Sequence, residues 1–311
     1  MSAGFVPSLP LPPPGGTFSR RLLGEASRFL AENPGATRAF TDFYNLFRHR
    51  SRRLEMDDFG WDPAAARPWQ PLFEFLYRVW WRVTMTGLQN IPDRGRALLV
   101  ANHSGVMPWD GAMVKFGIGH EHGAKRQARM LVLDMFSTLP FLQPWLRDLG
   151  EVRACPENAE RLLSRDELVG VFPEGVKGIG KPFRDRYRLA RFGRGGFVRL
   201  ALRTGAPILP VSIVGAEEIH PKIGSLDFIG RPLGLPYFPL TPTFPLLGPL
   251  GVIPLPTKWW IDIGKPIPMR HGPEVAERPM IVNELADQVR TTLQTMIDSR
   301  LARRGSIWTG E

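Results

Sequence analysis

The residues best suited to chemistry stand in "ANHSGVMPWD", positions 101–110, directly after the apolar run "ALLV". An imidazole titrates near neutrality, and a neighbouring carboxylate fixes its tautomer and supports the imidazolium. His103 oriented by Asp110 therefore has the makings of a general base that takes a proton from an alcohol. Six residues separate the two, and they can meet if "SGVMPW" closes a tight loop turning at Gly105 and Pro108. The same histidine could instead satisfy backbone groups at a strand end. Ser104 could imitate a hydrolase nucleophile, but it stands in "NHSGV" and not in a Gly-x-Ser-x-Gly elbow. A second stretch of this kind is "FPEGVKGIGK", 172–181, which follows "LVGV" and carries Glu174.

Both stretches need strands to present them. "RVTMTG", "ALLVAN", "ARMLVLD", "ELVGVFPEG", "APILPVSIVG" and "WWIDIG" are short β-rich runs, several apolar on consecutive residues as strands covered on both faces are. Between them, "DGAMVKFG", "PENAERLLSRD", "GRGGFVRLALRTG" and the segment 278–304 read as helices. The alternation predicts an α/β fold with a mixed, largely parallel sheet flanked by helices. In such a sheet ligands gather beyond the carboxyl ends of strands, so His103 and Glu174 can converge although 71 residues separate them. Upstream, 19–33 and 36–53 carry apolar residues at helical spacing, the second with Phe40, Phe43, Tyr44 and Phe47 on one stripe, and 68–81 gives a third, aromatic helix. The expected organisation is a disordered Pro/Gly-rich tail at 1–18, N-terminal amphipathic helices over 19–80 and one domain over 81–311.

Lys and Arg outnumber Asp and Glu by 40 to 30, a net charge of +10 that favours an anionic partner: nucleic acid, an anionic membrane surface or a phosphorylated small molecule. The single Cys155 excludes an intramolecular disulfide and any multi-cysteine metal site. "GHEHG", 119–123, lacks further placed ligands and reads as an exposed turn, so no metal is expected. No stretch of 18 uninterrupted apolar residues occurs, and the start lacks the pattern of a secretion signal, so the expectation is neither a spanning nor an exported protein.

"NHSGVMPWD", "FPEG" followed by a basic residue, and "APILPV", in that order, resemble the glycerolipid acyltransferases of the lysophospholipid acyltransferase superfamily, over roughly residues 80–270. The resemblance implies that His103 is the base and Asp110 its orienter. It implies further that Glu174 and Gly175 help bind the acceptor, that Pro207 and Pro210 shape a wall near the acyl donor, and that Arg153 in "GEVRA" is a phosphate ligand. Six residues lie between His103 and Asp110 where the family motif has four, and Lys177 stands where an arginine is commoner. The implied reaction moves an acyl group from acyl-CoA or an acyl-carrier protein to a glycerolipid acceptor, without metal or organic cofactor and without nucleic acid as a partner. Members of the superfamily also form esters of neutral alcohols.

From Lys177 to Arg203 the chain has nine basic residues and one acid, Asp185, a density expected to exceed what internal pairing neutralises. Lys177, Lys181 and Arg184 lie nearest "FPEG" and are the candidate ligands for a phosphate of the acceptor, such as lysophosphatidate or glycerol 3-phosphate, or of coenzyme A. The stretch 231–256 combines eight prolines with leucines and aromatics and has no charge after Arg231, which predicts an extended loop that covers the core or enters a bilayer. The expected location is cytoplasmic and peripheral to a membrane. Two other readings stay open: an acyl-ester synthase using a neutral alcohol or diacylglycerol, and a non-catalytic peripheral lipid-binding protein.

Overall fold

The computed structural model describes residues 56–104, 109–133, 142–230 and 237–310. The tail at 1–18 and the helices expected over 19–33 and 36–53 lie outside the described residues, as do the first six residues of the stretch 231–256. In chain order the elements are α1 Gln70–Phe75, β1 Thr84–Thr86, β2 Ala97–Ala101, α2 Trp109–Glu121, β3 Ala128–Val132, α3 Leu142–Asp148, β4 Val152–Arg153, α4 Pro156–Ser164, β5 Leu168–Val171, α5 Val176–Ile179, α6 Gly196–Thr204, β6 Ile208–Val214, β7 Gly224–Ser225, α7 Asp227–Gly230, β8 Pro239–Leu240, β9 Trp260–Ile263 and α8 Pro279–Arg303.

Seven strands form one sheet in the order β1-β9-β6-β2-β5-β3-β4. Every pairing is parallel except β6 with β9. This is the mixed, largely parallel sheet that the alternating pattern predicts. β2 lies between two parallel neighbours and is buried along its whole length, which explains its unbroken apolar sequence. Its side chains still alternate: Ala97, Leu99 and Ala101 pack in one layer and Leu98 and Val100 in the other.

The first layer is built around α1 and α2, with Trp81 stacked on Trp259 at 4.4 Å. Trp81 is fully buried and Tyr77 nearly so, but Leu72, Phe75 and Val79, spaced along one helical face, are exposed. The opposite layer holds α4, α6 and α8, the last presenting Val282, Ala286, Val289, Leu293 and Ile297 at helical spacing. Both faces of the sheet are therefore covered, and the open region for chemistry is at the strand ends.

The loop expected to be extended is more ordered than its prolines suggest. Its residues 239–240 pair antiparallel with β7, and Gly248–Val252 forms a 3-10 turn. Proline is compatible with that short ladder because the bonds come from its neighbours: Leu226 N–H donates to the Phe238 carbonyl at 2.8 Å and Ile223 N–H to the Leu240 carbonyl at 2.9 Å, so Pro239 needs no N–H. The expected exposed turn at 119–123 is also corrected in part. His122 is 3% exposed and its Nε2 lies 3.2 Å from the Ile91 carbonyl.

Candidate active site

β2 and β5 are adjacent and in register, Val100 opposite Val171, so the residues that follow them leave the sheet side by side. Asn102 extends the sheet by one step: its Oδ1 accepts from the Ile213 N–H at 2.7 Å and its Nδ2 donates to the Ile213 carbonyl at 2.9 Å. An amide side chain here imitates a strand backbone and pins the chain just before His103.

His103 Nδ1 lies 2.7 Å from Asp110 Oδ2, in the first turn of α2. The pair therefore meets although six residues separate its members; the turn expected at Gly105 and Pro108 lies outside the described residues. The same carboxylate oxygen accepts from Ser104 N–H at 2.8 Å and Ser104 Oγ–H at 3.3 Å, and Oδ1 accepts from Gly111 N–H at 2.8 Å. With Nδ1–H donating to an acceptor-only carboxylate, the remaining nitrogen, Nε2, is left with a lone pair. Asp110 is fully buried while the His103 side chain keeps 10% exposure, so the pair opens outward on the histidine side. Ser104 spends its hydroxyl on Asp110 and is 1% exposed, the place of a holder and not of a nucleophile.

The "FPEG" turn supports this imidazole from the side. Phe172 stacks on the His103 ring at 4.4 Å with 25° between planes. Glu174 Oε1 accepts from the His103 N–H at 3.1 Å, and Oε2 accepts from Ala190 N–H at 2.7 Å. Gly175 has φ +54° and ψ −141°, a region essentially restricted to glycine, which lets the chain turn into α5. Gly178 of α5 faces the site so closely that a Cβ there would stand 2.8 Å from the Cβ atoms of both His103 and Glu174.

The cations divide in two. Lys181, expected to face a ligand, is instead withdrawn into the protein, with Nζ 3.3 Å from Glu174 Oε2 and 3.1 Å from Glu217 Oε1. Arg186 reaches Glu218 at 3.7 Å, and Arg203 pairs with Glu160 and Glu277. Acids from distant parts of the chain, invisible to a local count, thus neutralise several of its nine cations and reduce the expected excess without removing it. Arg184 is 85% exposed beside Asp185, and Lys177 is exposed on α5. Lys177, Arg188, Arg191 and Arg194 make no ion pair with any described residue; the last three flank Ala190, which is tied to Glu174.

Other expected residues are not brought to His103. Arg153 lies on β4 at the sheet edge, three strand positions from β2, roughly 14 Å across at strand spacing. Pro207 sits at the opposite end of the strands, where its carbonyl accepts from Leu98 N–H at 3.0 Å, roughly 20 Å along the strand from the level of His103. Pro210 pairs opposite Val100, inside the sheet. A shallow pocket between Leu88–Asp93 and His122–Gly123 is likewise at the amino end of β2, away from the histidine.

Asn102, Phe172, Gly178 and Glu217 were missed by sequence reasoning. The first three stand inside or beside the two motifs, which is a usable signal. Glu217 carries none, because its role depends on where Lys181 ends up.

An acyltransferase family model matches residues 82–214, which run from just before β1 to the end of β6. An uncharacterized protein of Mycobacterium tuberculosis is 49% identical over 260 residues, covering 82% of this chain and 72% of that one. Phytyl ester synthase 1 of Arabidopsis thaliana is 26% identical over 241 residues, 70% of this chain and 34% of its own. The crystal structure of the 1-acyl-sn-glycerophosphate acyltransferase of Thermotoga maritima shares the fold, with a TM-score of 0.51 at 22% identity over 86% of this chain and 90% of that one.

Proposed function

We propose that this chain, which belongs to the acyltransferase family, moves a fatty acyl group from acyl-CoA or an acyl-carrier protein to a hydroxyl of a glycerolipid acceptor, with His103 as general base. The observation that carries the reading is the 2.7 Å contact of His103 Nδ1 with a fully buried Asp110. His103 Nε2 takes the hydroxyl proton as the acceptor oxygen bonds to the thioester carbonyl carbon. The tetrahedral intermediate then expels the thiolate, which receives that proton from the imidazolium. An ester and a free thiol result, and neither a metal nor an organic cofactor enters the balance. The Gly111 N–H already serves Asp110, so it is not the oxyanion donor in this arrangement.

The acceptor in this reading carries a phosphate, as lysophosphatidate or glycerol 3-phosphate does. Support comes from Lys177, Arg188, Arg191 and Arg194, cations without an ion pair among the described residues, on segments that adjoin the "FPEG" turn. Internal pairing of Lys181 and the similarity to a phytyl ester synthase favour the rival acceptor, a neutral alcohol or diacylglycerol. Attachment to the membrane is peripheral in this proposal. No helix among the described residues is long and apolar enough to cross a bilayer, whereas Leu246, Leu247, Leu250 and Ile253 are exposed on one short loop. The test is free-thiol release from palmitoyl-CoA with phosphorylated and neutral acceptors in parallel. Turnover that requires an acceptor and prefers the phosphorylated one supports the reading; preference for the neutral one transfers it to ester synthesis. Thioester cleavage independent of acceptor defeats both.

A further inference from the structure

We propose that Lys181 and Glu217 are positioning residues, which hold Glu174, and through it the backbone of His103, where the base must stand. The inference rests on the acyl-transfer reading above but adds residues to it that no motif contains. Glu174 is the joint of the arrangement, because one carboxylate oxygen holds His103 N–H at 3.1 Å while the other holds Ala190 N–H at 2.7 Å. Its side chain is fully buried. A carboxylate without a countercharge in such a place is expelled or protonated, and a protonated one surrenders an acceptor site that these two N–H groups use. Lys181 supplies the charge.

Lys181 is in turn fixed in place. Its Nζ has three oxygens around it, Glu217 Oε1 at 3.1 Å, Glu174 Oε2 at 3.3 Å and the Arg188 carbonyl at 3.3 Å, as many acceptors as an ammonium has hydrogens. The Lys181 and Glu217 side chains keep only 10% and 5% of their exposure. Neither is available to a substrate in this arrangement. Glu217 lies in the turn Ala216–Glu218 directly after β6, Glu174 in the turn after β5, and His103 after β2. The chain of contacts therefore braces the ends of three neighbouring strands at the level of the imidazole.

The experiment is steady-state kinetics on purified full-length variants with acyl-CoA and the preferred acceptor, alongside thermal melting. Removing the cation in Lys181→Met, or the acceptor atom in Glu217→Leu, is expected to lower kcat by about 10- to 100-fold, the scale of a displacement of the base by about 1 Å. KM for both substrates should stay within about threefold, because neither substituted side chain is itself open to a substrate. Glu217→Gln keeps an oxygen that accepts from Lys181 and is expected to restore most of the loss, which a merely structural carboxylate would not require. Because the effect passes through Glu174, adding Lys181→Met to Glu174→Ala should cost nothing further. A raised acceptor KM at unchanged kcat would overturn the inference by making Lys181 a substrate ligand, and so would unchanged kcat in either folded variant. Should Lys181→Met fail to fold, the Glu217→Leu and Glu217→Gln pair decides: equal activities overturn the proposal. His103→Ala in the same assay separates the two levels, since an active His103→Ala sinks the general-base reading itself, while an inactive one beside unimpaired Lys181→Met and Glu217→Leu sinks only the bracing.

Discussion

The turn after β2 and the loop from Tyr237 to Pro256 hang from the same end of the sheet and are built on opposite terms. Around His103 the polar groups are withdrawn from water and matched: Asp110 holds four donors, Glu174 two N–H groups and a lysine, Asn102 a backbone pair. In the loop it is apolar groups that stand in water, Leu246 at 84% and Leu250 at 67% exposure. It is attached mainly through its backbone: carbonyls at Phe238 and Leu240 accept in the short ladder with β7, those at Pro254, Leu255 and Pro256 accept from Trp80, Trp81 and Arg82, and Leu255 N–H donates to Ile219, while the Tyr237 hydroxyl donates to the Ile179 carbonyl. A buried polar network fixes geometry, because each misplaced member leaves an unsatisfied group at a cost of about 1–3 kcal/mol. An exposed apolar loop fixes nothing, but every leucine it moves out of water gains roughly 1.5–3 kcal/mol. The chemistry and the membrane contact proposed above thus call for different kinds of surface.

The largest effects belong to the network. His103→Ala is expected to lower turnover by about 100- to 10,000-fold in a protein that melts normally, the usual loss of a general base. Asp110→Asn should fall almost as far, since an amide retains the volume yet can present its N–H to the ring and select the wrong tautomer. Near-normal transfer by either folded variant would separate the pair from the chemistry and leave its hydrogen bonds as mere strand-end packing.

Next in size is the loop. Leu246→Ser, Leu250→Ser and Ile253→Ser together should weaken flotation with anionic vesicles by at least about 100-fold while leaving turnover on a short, water-soluble acceptor intact, because the three side chains lie outside the network. Basic residues near the surface add roughly 1 kcal/mol each, so salt alone should release the wild-type protein only in part. Complete release of the wild type by salt, or undiminished flotation of the triple variant, would show that this apolar surface does not enter lipid. A smaller change is expected from the cations without an ion pair among the described residues. Arg191→Ala should raise KM for a phosphorylated acceptor by about 10-fold and spare a neutral one, at the scale of a charged hydrogen bond; equal effects on both acceptors would move that residue to the donor or the membrane.

The same contrast explains what could be seen beforehand. The strands, the helices and the largely parallel sheet were within reach because period and apolar runs are local, and His103 and Glu174 met because both follow adjacent parallel strands. The burial of Lys181 was not, since its partner Glu217 comes 36 residues later and a local charge count sees only Asp185. Arg153 matched a motif but sits on an edge strand, a placement that depends on the order of strands and not on their sequences. The short ladder at Pro239 escaped because proline rules out its own N–H and not those of its neighbours.

The smallest effect tests whether the network tolerates its own charges. Glu217 shares one lysine with Glu174, and burial pushes its carboxyl from the ordinary 4.5 up to about 7 against the pull of Lys181. Arg186, His220 and Lys222 line the same small recess, and burial holds the His220 ring below its usual range, so it adds little positive charge near neutrality. A carboxyl raised in the folded state favours folding fully below its unfolded pKa. That contribution is lost as pH climbs from about 4.5 through about 7, because the unfolded chain ionises first. Glu217→Gln removes the titration while keeping the oxygen toward Lys181. Its urea midpoint relative to wild type should therefore rise between pH 5 and pH 8, by the equivalent of roughly 1–3 kcal/mol, since a tenfold change in an ionisation constant is worth about 1.4 kcal/mol, and level off above that range. The difference between the two proteins cancels every other titrating group to first order. A constant difference across the range would mean that Glu217 titrates alike in both states and that the recess is wetter than its geometry implies; a difference that falls with pH would mean that Lys181 wins over burial and keeps the carboxylate ionised.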